Sequence, residues 1–171
     1  MKLSNLFLTF FGAGQLPAPR ITATMIAWAL GLGWIYLLGA ESLFTLAFAL
    51  FIVSIFEITK AENRGMEHDA PSIVIDEAVG VWVALCVSAT ALAWLPDSPM
   101  ILWLLSGGAL GAYLLFILWS PSTIGWIRRN LRGGLGVMLD DTLAGFAAGL
   151  LILLAAKGIT LLWEGGVRRE E

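Results

Sequence analysis

The chain has 171 residues, of which 58% are hydrophobic and 13% charged, with a formal net charge of −3 and a mean hydropathy of +0.85. A soluble domain is nearer half apolar and a quarter charged, so this composition excludes a disordered chain, a collagen-like fibre and an ordinary soluble globule. A single Cys (Cys86) and a single His argue against a disulfide scaffold and a Cys- or His-rich metal site, and the acidic balance argues against a nucleic-acid partner.

What remains is an all-α polytopic membrane helix bundle. Residues 1–11 are too short to span a bilayer; Leu6, Phe7, Leu8, Phe10 and Phe11 are expected along its interface. Ser4, Asn5 and Thr9 interrupt the apolar stretch, and Gln15-Leu16-Pro17 is a poor cleavage site, so the segment does not read as a secretory signal. A spanning helix takes about 20 apolar residues. Five such stretches follow, at 21–39, 42–59, 74–95, 100–119 and 138–160, separated by charge, Pro or Gly. The expected organisation is an N-terminal interfacial segment (1–20), one transmembrane domain (21–163) and a polar tail (164–171).

Five spans put the chain ends on opposite sides. With the N-terminus inside, the inner segments carry Lys2, Arg20, Lys60, Arg64, Arg128, Arg129 and Arg132. The outer ones carry Arg168 and Arg169, with Lys157 near the outer end of the last span. The positive-inside rule therefore predicts a cytoplasmic N-terminus. Trp34, Trp94, Trp103, Trp119, Trp126 and Trp163 fall near span ends, as interfacial Trp should.

This orientation gathers segments 12–20, 60–77 and 120–141 on the cytoplasmic side. Two acid pairs there, Asp76–Glu77 and Asp140–Asp141, are embedded in apolar sequence. Acids at membrane depth are costly and mark sites; the plainer alternative is that they cap helix N-termini. Helix spacing favours a site. The face below Asp76 reads Gly80, Ala84, Ser88, and that below Asp141 reads Gly145, Gly149. Small faces let membrane helices approach closely, so the third and fifth spans are expected to bring Asp76 and Asp141 to one ion. Glu77 and Asp140 point about 100° away and would serve as further ligands, supporting groups or a base. Carboxylates without His or Cys suit Mg²⁺, Mn²⁺ or Ca²⁺, and a cytoplasmic site favours Mg²⁺. Arg128, Arg129 and Arg132 before Gly133-Gly134-x-Gly136 add anion-binding chemistry. They are equally ordinary inner-face anchors before an ordinary loop. His68 lies in a polar loop, either solvated or serving as a general acid or phosphate contact.

The stretches Asp69-x-x-Ser72-Ile73-Val74-Ile75-Asp76-Glu77-x-x-Gly80-x-Trp82 and Asn130-x-x-Gly133-Gly134-x-Gly136-x-Met138-x-Asp140-Asp141-x-x-Ala144-Gly145 resemble the two signatures of the phosphatidylglycerophosphatase A family, and Ala61-Glu62 fits its pattern. The resemblance covers most of residues 12–150. It implies a Mg²⁺-dependent lipid phosphatase of the bacterial inner membrane that converts phosphatidylglycerophosphate to phosphatidylglycerol. The acidic centre would comprise Asp69, Asp76, Glu77, Asp140 and Asp141: Asp76 and Asp141 on the metal, and Asp69, Glu77 and Asp140 as the catalytic acids. Arg20, His68, Arg128, Arg132, Gly133 and Gly134 would take the substrate phosphate. The partners would be a phospholipid and the membrane, with a homo-oligomer left open. The chain departs from the family pattern at Arg20-Ile21-Thr22-Ala23-Thr24. It also has Leu114, Ile117 and Ser120 where the family has Arg, Asp and Lys. The competing reading is therefore a non-catalytic relative that binds a lipid head group or a partner membrane protein. No inverted repeat marks a transporter, and the spaced Asp run of the alcohol phosphotransferases is absent.

Overall fold

The computed structural model describes residues 3–68, 70–96, 98–119, 131 and 133–167. Its helices are α1 (Leu3–Leu8), α2 (Pro19–Leu38), α3 (Ala40–Glu62), α4 (Ile75–Ala89), α5 (Pro99–Trp119) and α6 (Gly134–Val167). Short 3-10 turns lie at Ala13–Gln15 and Thr90–Ala93, and no strand occurs among the described residues. Helices α2, α3, α5 and α6, together with α4 and its 3-10 extension, are each long and apolar enough to cross a membrane. The protein is thus all-α with five spanning helices, as composition predicts. Pro19 and Pro99 open α2 and α5, where proline's missing N–H costs nothing.

The bundle is built around α4. Within the protein 83% of its span is buried, against 22–28% for the other four. All four pack on it, α6 most extensively. Beyond its first turn Ile75–Ala89 is apolar on every face save for Ser88 near its end, the pattern of an enclosed helix. The outer helices turn Leu37, Phe48, Phe56, Leu118 and Leu154 outward, as lipid-facing surfaces do.

Lipid is as apolar as leucine, so close backbone packing holds such helices together. Gly145 of α6 sits so near α4 that a Cβ there would overlap the Gly80 carbonyl oxygen. A Cβ on Gly149 would lie 2.9 Å from the Ala84 carbonyl oxygen. The expected small-residue crossing of the third and fifth spans is therefore present.

The last helix begins earlier than the sequence suggests, at Gly134 rather than near 138, and runs 34 residues to Val167. Its start is pinned to α3. The Gly134 N–H donates to Thr59 Oγ1 at 2.9 Å, and a Cβ on Gly134 would overlap the Ile55 carbonyl oxygen. Glycines that read as a loop are here the condition for a helix to start against its neighbour.

The N-terminal segment contributes to the core as well as to the surface. Leu8, Phe10 and Ala13 are buried while Phe11 is exposed. The Leu8 carbonyl accepts the Val74 N–H at 3.0 Å, and the Phe10 ring meets Trp82 edge-on, centroids 6.1 Å apart. These contacts fix the segment that leads into α4, and with it the position of Asp76 and Glu77.

Candidate metal centre

Asp76 and Glu77 lie in the first turn of α4. A capping role would have their side chains accept the helix's free N–H groups. Instead Val74 occupies the N-cap position without a side-chain cap bond, and neither carboxylate oxygen of Asp76 has a hydrogen-bond partner among the described residues. Asp140 and Asp141 lie well inside α6, whose first residue is Gly134. They too are no N-cap.

What the fold does with these acids is bring them together. Asp76, Glu77 and Asp141 each offer a carboxylate oxygen, and the three oxygens lie within 4.8 Å of one another. All three residues are buried, at 1%, 0% and 3% exposed. The Gly80–Gly145 crossing makes this meeting geometric, because α6 can lay Asp141 beside α4 only where both backbones lack side chains. Glu77 joins the pair expected from helix spacing. The rotation of about 100° between adjacent helix positions aims its Cα–Cβ bond elsewhere, and its longer side chain brings the carboxylate back. Asp140 is buried beside the cluster, at 4% exposed, but is not one of the trio.

Among the described residues, one cation is built against the trio. Arg20, in the first turn of α2, places Nε 3.0 Å from Glu77 Oε1. It is also the most solvent-accessible of these groups, with 29% of its side chain exposed. Crowded carboxylates in a dry environment repel one another, and one arginine, the cation found there among the described residues, does not balance three. Buried carboxylate oxygens without N or S donors among them, those of Asp76 without a hydrogen-bond partner among the described residues, suit a hard divalent cation. Asp76, Glu77 and Asp141 together therefore fit a divalent metal ion.

The other expected site residues fall in different places. His68 is exposed, with Nδ1 2.7 Å from Glu62 Oε1. Gly133 adopts φ +83°, and the Gly134 N–H is already engaged by Thr59. Asp69, Arg128 and Arg132 lie outside the described residues. Leu114 and Ile117 are partly buried positions of α5. One residue that the sequence reading passed over belongs here. Tyr113 of α5 is completely buried with its hydroxyl over Gly80. A lone tyrosine among the residues of an apolar span was the available signal.

Fold and site define a polytopic membrane protein with a buried carboxylate cluster suited to a divalent cation. The phosphatidylglycerophosphatase A family model matches residues 6–156, and the chain belongs to that family. It is 35% identical over 95 residues to a phosphatidylglycerophosphatase A of Escherichia coli (strain K12), a match covering 55% of this chain and 49% of that protein, about half its length. It is 29% identical over 149 residues to one from Haemophilus influenzae, covering 86% and 85%. It is also 30% identical over 153 residues to a putative phosphatidylinositol-3-phosphatase of Bacteroides thetaiotaomicron, covering 86% and 89%. No solved structure matches the chain. Family membership supports a lipid phosphatase.

Proposed function

We propose that this protein is a Mg²⁺-dependent phosphatase that hydrolyses phosphatidylglycerophosphate to phosphatidylglycerol and phosphate at the cytoplasmic leaflet of the bacterial inner membrane. The observation that carries this reading is the buried trio Asp76, Glu77 and Asp141 within 4.8 Å, in a chain of this family. Asp76 and Asp141 would hold the ion. When bound, it supplies positive charge to the phosphoryl oxygens of a phosphomonoester. Arg20 brings a second positive charge to the same place and, as the exposed member, faces the side from which a head group arrives. The low exposure of the carboxylates keeps bulk water from the reacting group, which strengthens each of these interactions. Asp69, Glu77 and Asp140 are proposed as the acids that orient or move a proton. His68, Arg128, Arg132, Gly133 and Gly134 are proposed phosphate contacts.

A second reading is favoured by Leu114, Ile117 and Ser120, which stand where the family has charged groups: a relative that binds the lipid head group without cleaving it. The relative named as a phosphatidylinositol-3-phosphatase adds a phosphoinositide as the alternative substrate. One experiment separates these. Purified protein in detergent is given phosphatidylglycerophosphate or phosphatidylinositol 3-phosphate, with and without Mg²⁺, and released phosphate is measured. Metal-dependent release from the first lipid is expected, lost in Asp76→Asn and Asp141→Asn while both variants stay folded. Release from neither lipid, with binding retained, would replace the enzyme by the binding protein.

A further inference from the structure

Tyr113 is 0% exposed, and its hydroxyl has no hydrogen-bond partner among the described residues. Buried phenols ordinarily find a partner, so this one requires a reason. The hydroxyl lies 2.5 Å from the point where a Cβ on Gly80 would stand, and the main-chain oxygen of Asp141 lies 2.6 Å from the same point. Gly80 is one helical turn past Asp76. Tyr113 therefore forms the inner floor of the acidic pocket, and the absence of a side chain at Gly80 makes room for it. The charged groups near enough to act on it electrostatically are Asp141, Glu77, Asp76 and Arg20, contributed by the three helices α6, α4 and α2.

The centre thus combines the Asp76 carboxylate oxygens, which have no donor, with one O–H that has no acceptor among the described residues. An ionised carboxylate only accepts hydrogen bonds, whereas a phenol can donate one while remaining neutral. Such a donor orients a carboxylate without adding a charge that competes with a cation. Packing alone does not call for it, since phenylalanine would fill the same volume with no polar atom to bury.

We propose that Tyr113 is a positioning residue of the acidic centre: when a divalent cation draws the carboxylates together, its hydroxyl, unpartnered among the described residues without metal, donates to the carboxylate that Asp141 presents and holds it on the ion. This rests on the metal reading given above.

The chain has two tyrosines, and the other, Tyr36, is 79% exposed on α2. Full-length protein carrying 3-fluorotyrosine therefore gives two ¹⁹F resonances, assigned with Tyr36→Phe. Titration with Mg²⁺ should move the Tyr113 resonance and leave that of Tyr36 in place, and the shift should vanish in Asp76→Asn. In parallel, Tyr113→Phe should weaken Mg²⁺, read from Mg²⁺-dependent thermal stabilisation, by about 10- to 100-fold. Its metal-free stability should equal or exceed that of wild type. A residue serving only to pack would change stability equally with and without metal. The proposal is overturned if wild type binds Mg²⁺ with the Tyr113 resonance unmoved, or if Tyr113→Phe binds Mg²⁺ as wild type does. If wild type shows no response to Mg²⁺ or Mn²⁺, the metal reading itself fails and this proposal with it.

Discussion

Glu77 is wholly buried, and the cation built against it is Arg20, whose Nε approaches to 3.0 Å. Removing one partner of a buried pair leaves an uncompensated charge and costs about 3–5 kcal/mol when both are enclosed. Arg20 is partly exposed, which screens the pair. Arg20→Gln is therefore expected to lower metal-free stability by about 2 kcal/mol. Adding Glu77→Gln removes the stranded charge, so the double variant should return to within about 1 kcal/mol of wild type. Thermal unfolding in detergent reads both. A double variant as unstable as Arg20→Gln would show that Arg20 acts through something other than Glu77.

Among the helices, the α4–α6 crossing separates glycines that are needed from glycines that are not. A Cβ on Gly145 would overlap the Gly80 carbonyl oxygen, whereas one on Gly107 of α5 meets nothing within 4 Å. Gly145→Ala should destabilise by about 1–3 kcal/mol and weaken metal binding, because it pushes Asp141 away from Asp76. Gly107→Ala should lie within about 0.5 kcal/mol of wild type. Equal behaviour of the two in unfolding and Mg²⁺ titration would refute the close crossing. This crossing was legible in the sequence because Gly80, Ala84, Gly145 and Gly149 repeat at helical spacing beneath acids. The start of α6 was not. Gly133-Gly134-x-Gly136 has the composition of a loop, and only the contact with Ile55 and Thr59 makes Gly134 helical. Glu77 was placed by backbone direction alone, which ignores the reach of its side chain. Tyr113 carried no periodic signal, since the space that receives it belongs to Gly80 on another helix.

At the scale of the whole molecule, apolar runs were enough to find five spans, while sidedness rests on charge. Exposed Trp34, Trp94 and Trp103 lie toward the end of the bundle opposite the acidic cluster, with Lys157 Nζ 5.4 Å from the Trp94 ring centroid. Such a belt marks a membrane–water interface, but a belt forms at either face. Glu41 and Glu67, both exposed, flank opposite ends of α3. In a Cys86→Ala background, Glu41→Cys should react with a membrane-impermeant maleimide on intact cells, and Glu67→Cys only after permeabilisation. The reverse pattern would invert the orientation and move the acidic site to the outer leaflet.

The enclosure of α4 also bears on how the protein is made. This helix leaves the ribosome before two of its four neighbours exist. Until α5 and α6 follow, the side that carries Gly80, Ala84 and Ser88 has no partner, and Asp76 and Glu77 stand at its start without the helix that brings Asp141. Asp in a spanning segment is among the costliest residues to insert, so α4 depends on late-synthesised sequence to settle. The acidic pocket comes into being only with the final helix. A nascent or truncated chain that ends before α6 therefore presents the Asp76 carboxylate and a bare glycine groove, with Arg20 already at hand for Glu77, and the completed bundle buries both.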